Sequence, residues 1–187
     1  MSDKFESINR EPFHEFFDSF LPVLVSCAIR EVPSTSGLYT IHIDAAESLP
    51  PGHFREVLKE RGTTLLYLGK ASNFERRLIR QDLKHEQPST FFRGIGAVLG
   101  YRPPRGSLQG KKNQNNYRFS GEDTGKIIVW IDLHVRVCWA ECDSDIIDAV
   151  ERHLIKRFEP LLNTRAQPHP YRLLAELRRE CREIVCS

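Results

Sequence analysis

Two β-rich runs, each carrying a tyrosine beside a glycine, constrain this chain more than any other feature. The first is Gly37-Leu38-Tyr39 leading into Leu38–Ile43, where alternation puts Tyr39, Ile41 and Ile43 on one face of a strand. The second is Thr63–Gly69, ending in Tyr67-Leu68-Gly69, which arrives as a hairpin partner after the Pro50-Pro51-Gly52 break and a short helix over 53–61. A third strand follows from the alternation of Leu133, Val135, Val137 and Trp139 with His134, Arg136 and Cys138. Three short strands cannot bury both faces alone, so helices must cover them. The expected class is α/β (α+β): a small, mainly antiparallel three-stranded sheet flanked by helices.

The helices are legible from caps and stripes. Phe13, Phe16, Phe17, Phe20, Leu21, Leu24 and Val25 recur at helical spacing and predict a helix over 11–30. Asn73 caps a basic helix from Phe74 to about Lys84, and Ser120 with Asp123 starts one that runs to about Trp130. Asp143 or Ser144 caps a helix over 145–158, which Pro160 ends. Leu173, Leu174, Leu177, Cys181 and Ile184 line one face of a last helix over 171–185. Between Lys84 and Ser120, glycines, prolines and a polar run from Lys111 to Asn116 suggest a long insertion without much buried apolar area. The expected organisation is therefore an N-terminal helical extension (1–32), a central domain (33–165) with an insertion at 85–120, and a C-terminal helix (166–187) packed on the same domain.

Charge is placed unevenly. Net charge is only +2, yet Arg76 to Arg118 holds ten Lys/Arg against Asp82 and Glu86, a local +8 that leaves −6 for the remainder. Such asymmetry suggests one basic surface meeting a polyanion. No apolar run approaches the roughly 20 residues of a membrane span, and Met1–Glu6 has no signal-peptide pattern, so a cytoplasmic protein without a membrane partner is expected. The five cysteines, Cys27, Cys138, Cys142, Cys181 and Cys186, form no disulfide or zinc framework and read as reduced thiols.

Glu151 stands out without further knowledge. In the helix over 145–158 the apolar stripe is Ile147, Val150, Leu154 and Phe158, and Glu151 lies four after Ile147 and three before Leu154. An ionised glutamate there needs a metal, an arginine or a solvated rim. Tyr39 and Tyr67 read either as core tyrosines or, beside Gly37 and Gly69 where a phosphate backbone could approach closely, as site residues. Arg77 competes with Arg76 and Arg80 on one helix, and Asn163 is on pattern alone a turn asparagine.

Taken in order, Gly37-Leu38-Tyr39, Tyr67-Leu68-Gly69-Lys70-Ala71, Arg77, and Glu151 with Pro160 and Asn163 resemble the GIY-YIG nuclease superfamily. The stretch from Leu66 to Leu78, and Glu151-Arg152-His153-Leu154-Ile155-Lys156 with Pro160 and Asn163, resemble the N-terminal nuclease domain of the bacterial nucleotide-excision-repair endonuclease. The resemblance implies a metal-dependent DNA endonuclease with a catalytic set of Tyr39, Tyr67, Lys70, Arg77, Glu151 and Asn163. Glu151 would hold Mg²⁺ or Mn²⁺, since a lone carboxylate suits an ion that keeps most of its waters. Arg77 would fork onto the scissile phosphate. Tyr39 would act as general base or orient the attacking water, its phenolate favoured by a cation such as Lys70, with Tyr67 in support. Where the superfamily often has a histidine one turn after the arginine, this chain has Gln81.

For DNA contacts the expected residues are Arg76 and Arg80 on the helix, and Arg93, Arg102, Arg105, Lys111, Lys112 and Arg118 from the insertion. The expected partner is nucleic acid, double-stranded DNA, bound by the chain alone or as a homodimer, in repair or restriction. The alternatives are a non-catalytic nucleic-acid-binding protein on the same fold and an RNA-directed nuclease.

Overall fold

The computed structural model describes residues 21–187. Its centre is an antiparallel sheet of β1 (Val23–Leu24), β2 (Gly37–Ile43), β3 (Leu65–Ala71) and β4 (Val135–Glu141) in the order β1-β4-β2-β3. The three expected strands are present, and β1 is a fourth. It lies inside the segment expected to be helical over 11–30. Pro22 disfavours helix in the residue before it and cannot donate within one, so Val23 and Leu24 pair with β4 and helix α1 covers only Val25–Glu31. The stripe from Phe13 to Phe20 lies outside the described residues. β4 begins two residues later than the alternation suggests because Leu133 and His134 complete the preceding helix.

Tyr39 on β2 pairs with Gly69 on β3 and with Trp139 on β4. One sheet face, with Tyr39, Ile41, Ile43 and Tyr67, faces the main core, which Leu66 joins at a register shift in the β2–β3 pairing. The other carries Leu38 and Leu68 against Ile147, Val150, Leu154 and Ile155 of the helix over Ser144–Phe158. Helix α2 (His53–Arg61) ends at Gly62 in the left-handed region, φ 58°. Asn73 accepts a bond from the Arg76 amide at 2.9 Å, as its capping role requires, but the following segment, Glu75–Leu83, is π-helical.

The region read as a loopy insertion departs most from expectation. Thr90–Val98 is a helix, α3, capped by Ser89, and Phe91, Phe92, Ile95 and Ala97 are core residues. Its glycines are close-packing sites instead of breaks: a side chain at Gly94 would meet the Arg178 guanidinium at 2.7 Å, and one at Gly96 the Phe119 ring at 2.4 Å. The stretch beyond is tied down as well, through Gly106 N to Ile184 O (3.0 Å) and Leu108 N to Val185 O (2.9 Å). Helix α4 (Gly121–His134) is capped by Ser120 through the Asp123 amide, as expected, but runs past Trp130. α5 is Ser144–Phe158, and α6 (Arg172–Cys186) packs against α3 and buries Leu174, Cys181 and Val185 in the main core.

β3 is the edge strand on the side of the site. Its outer edge is covered by the chain leaving α5: Leu161 N and Leu162 N donate to Leu65 O and Leu66 O at 3.3 and 2.8 Å. Asn163 continues this with its side chain, its Oδ1 accepting from Leu68 N at 3.0 Å and its Nδ2 donating to Leu68 O at 2.9 Å. The amide thus stands in for a strand residue and closes an edge that would otherwise present bare backbone groups.

Candidate active site

The deepest part of the site is a buried carboxylate that the sequence did not single out. Asp82 is fully buried and accepts hydrogen bonds from the Tyr39 hydroxyl and the Ser89 hydroxyl, while Arg77 Nη1 lies 3.5 Å from its Oδ1. Winding explains the arrangement. In an α-helix residues five apart point about 140° apart, whereas the wider i→i+5 winding narrows that angle and brings Arg77 and Asp82 toward one face. Arg76 and Arg80 then point outward, to Ser72 (3.2 Å) and Glu75 (2.6 Å). The three arginines that composition could not separate are separated here by their partners.

Electrostatics follow from burial. The Tyr39 hydroxyl is pushed well above the ordinary phenol value, first by burial and then by Asp82. Lys70 is engaged elsewhere, so the expectation of a cation-stabilised Tyr39 phenolate is not met. Tyr67 is raised to about 12 by burial and Asp82, with Arg77 opposing. Burial is the largest influence on the Arg77 charge and works against it, but Asp82, Tyr39 and Tyr67 together outweigh it and raise the group above the ordinary arginine value. Burial also raises Asp82, with Arg77, Ser89 and Tyr39 pulling the other way. The missing side chain of Gly69 serves the tyrosines, not a phosphate: a Cβ there would meet the Tyr39 hydroxyl at 2.5 Å and the Tyr67 ring at 2.9 Å.

On the opposite face of β3, Lys70 contacts Asp148 and lies 3.0 Å from Glu151 Oε2. Its charge is favoured chiefly by the Asp148 hydrogen bond, and that same contact holds Asp148 below the ordinary carboxylate value. Glu151 is partly exposed, its side chain at 18%.

Both halves open into one cleft of about 970 Å³ around the edge of β3, at the upper end of small-ligand sites. Tyr67, Lys70, Arg77, Glu151 and Asn163 line it; Tyr39 does not. Seven basic side chains, the two already named with Arg93, Arg152, Arg165, Arg178 and Arg182, face only Asp148 and Glu151 there. Of the expected DNA contacts, Arg93 alone lines this cleft, and Arg76 and Arg80 flank a neighbouring depression beside Asn116. Arg102 is turned away, paired with Glu180 at 2.9 Å and bonded to Ala97 O. Arg118 donates to Glu86 O, while Arg105, Lys111 and Lys112 are exposed outside the cleft lining. Sequence reasoning missed Asp82 and Ser89, and did not count Arg178 or Arg182 among the DNA contacts.

The family model described as the GIY-YIG catalytic domain matches residues 37–183, which spans every group above. The chain belongs to the GIY-YIG family. The GIY-YIG domain carries a nuclease-type function with nucleic acid as substrate, and its members are generally dependent on a divalent metal. No curated protein and no solved structure matches the chain. Among the described residues, no helix is long and apolar enough to cross a membrane, and all five cysteines are free.

No group of three or more His, Cys, Asp and Glu gathers among the described residues. A site for an ion that demands several protein ligands is therefore absent from that set. Glu151, with Asp148 one turn before it, fits an ion that takes one or two carboxylates and fills its shell with water and phosphate oxygens.

Proposed function

We propose that the protein is a metal-dependent endonuclease that hydrolyses phosphodiester bonds in DNA. The observation that carries the reading is an arginine, Arg77, backed by a buried carboxylate and opening onto the same cationic cleft as Glu151. Arg77 forks onto the scissile phosphate and offsets the charge that grows on its oxygens. Its direction is set by Asp82, which Tyr39 and Ser89 hold, so Tyr39 is a positioning residue in this reading.

Of Tyr39 and Tyr67, Tyr67 is the one that lines the cleft, and with its hydroxyl raised to about 12 it stays protonated at neutral pH. It orients the attacking water by hydrogen bonding. Lys70 holds Glu151 and Asp148 in place. Glu151 would hold Mg²⁺ or Mn²⁺, which when bound supplies Lewis-acid stabilisation of the phosphate and a more acidic water. Asn163 fixes the backbone of β3 between Tyr67 and Lys70.

The test is plasmid nicking with Mg²⁺, with EDTA, and with Glu151→Ala. Wild type should nick only with metal. The variant should lose cleavage yet keep its fold, because a partly exposed carboxylate with a single lysine partner contributes little net stability. Nicking by Glu151→Ala at the wild-type rate would remove Glu151 as the metal ligand. An RNA substrate cut in preference to DNA would change the substrate and leave the chemistry.

A further inference from the structure

One wall of the cleft holds two arginines that form no ion pair among the described residues. Arg93 projects from α3, lies over the Tyr117 ring at 5.6 Å, and among the described residues donates no side-chain hydrogen bond and forms no ion pair. Its Nη1 is shut off from solvent without a partner. Arg178 projects from α6 and is fixed by Thr164 Oγ1 (3.1 Å), Leu162 O (3.1 Å) and Thr90 O (3.2 Å), yet its Nε is also buried and unpartnered. The bonds to neutral groups orient the guanidinium but do not neutralise it. Gly94 completes the arrangement, since any side chain there would strike the Arg178 Nη2.

Burying a guanidinium without a carboxylate is costly, and both groups show it. Burial pulls each below the ordinary arginine value, and Arg178 is lowered further by Arg93. Two guanidinium groups that line the same cleft, neither with an ion-pair partner among the described residues, form a receptor for a dianion. Arg77 is already matched by Asp82, so this pair does not duplicate it.

We infer that Arg93 and Arg178 form a second phosphate subsite, which takes a non-scissile phosphate neighbouring the one on Arg77. The inference rests on the nuclease reading for the identity of the strand, and on this wall alone for the anion. A strand bound at both subsites has its scissile bond placed by two phosphates instead of one. Positioning of that kind converts binding into orientation.

The probes are thymidine 3′,5′-bisphosphate and thymidine 5′-monophosphate, titrated by calorimetry without metal. Wild type should bind the bisphosphate about tenfold more tightly or better, since charge-assisted hydrogen bonds are each worth that much. Arg93→Met should bind the two probes equally, with its thermal midpoint unchanged or raised, because a buried unpaired charge has been removed. Arg178→Lys keeps the charge but loses the fork, and should reduce the preference while lowering the midpoint through the lost bonds to Thr164, Leu162 and Thr90. Equal binding of both probes by wild type, a preference that survives Arg93→Met, or an unfolded Arg93→Met beside an Arg178→Lys with full preference would each overturn the subsite. If wild type shows the preference but never nicks nucleic acid, the nuclease reading fails and the subsite stands.

Discussion

Replacing Asp82 with asparagine separates a buried network that serves the site from one that serves only the fold. The substitution keeps the volume and one acceptor oxygen but removes the charge that faces Arg77 at 3.5 Å. At an effective dielectric near 20, that attraction is about 5 kcal/mol. Breaking a fully buried pair costs about 3–5 kcal/mol. The Arg77 side chain is 26% exposed, so water recovers part of the loss, and one of the Tyr39 and Ser89 bonds must now meet an NH₂ group. A net loss of about 3 kcal/mol follows, or a midpoint lower by roughly 6–12 °C for a chain of this size. Arg77, no longer held, should cost the reaction about a hundredfold in kcat, the scale of one transition-state donor. Urea unfolding and single-turnover cleavage, run below the lowered midpoint, measure the two effects separately. A variant with wild-type stability would refute the network. A destabilised variant that still cleaves at the wild-type rate would show that Asp82 does not govern Arg77 in the reaction.

The two tyrosines should differ: Tyr67→Phe should lose more cleavage than Tyr39→Phe, while Tyr39→Phe, which leaves Asp82 one donor short, should lose more stability, about 1–3 kcal/mol. The reverse order in rate would restore Tyr39 as the group that meets water. His85, buried and stacked on Phe92 at 4.0 Å with no partner for either ring nitrogen among the described residues, is lowered to about 4 by burial, with Arg118 and Arg93 adding to the effect. A depressed folded-state value means that the unfolded chain takes the proton first, so stability is intact above about pH 6.5 and falls as pH drops toward 4, by up to about 3 kcal/mol. His85→Asn tolerates the positive φ of 55° and should flatten urea midpoints measured between pH 7 and 4.5. In salt titrations of DNA binding, neutralising Arg152, Arg165 and Arg182 together should reduce the slope by about 2–3 units, at about 0.9 per phosphate contact. Neutralising Arg105, Lys111 and Lys112 should leave it nearly unchanged; equal losses would mean DNA extends over the exposed loop.

The sheet and most helix boundaries were legible because each rests on local pattern: alternation, a cap, or a stripe. The grouping of Tyr67, Lys70, Arg77, Glu151 and Asn163, which line one cleft, followed only from the resemblance to the GIY-YIG superfamily, since pattern alone left Arg77 among three arginines and Asn163 a turn residue. Asp82 was not legible because its position depends on π-winding. Counted at α-helical spacing, Asp82 falls away from Arg77 and reads as one acid in a basic surface. The helix α3 was misread for a related reason. Gly94 and Gly96 look like chain breaks until Arg178 and Phe119, both distant in sequence, are seen to need the space. The basic insertion was legible in charge but not in direction, since Arg102 spends its charge on Glu180 while Arg93 keeps its charge in the cleft.

In the proposed reaction, the edge of β3 is what lets these groups act together. Successive strand residues point to opposite faces, so Tyr67 and Lys70 approach the cleft from different sides of the sheet. Arg77 joins the first through the π-helical segment, and Glu151 joins the second through α5. What aligns the two halves is the backbone between them, and that backbone is gripped at Leu68 by both amide atoms of Asn163. A slip of one residue along β3 would exchange the faces of Tyr67 and Leu68, and would leave Asn163 without either partner. The asparagine therefore need not touch substrate to matter: it fixes the register on which an arginine from one face and a carboxylate from the other can meet the same phosphate.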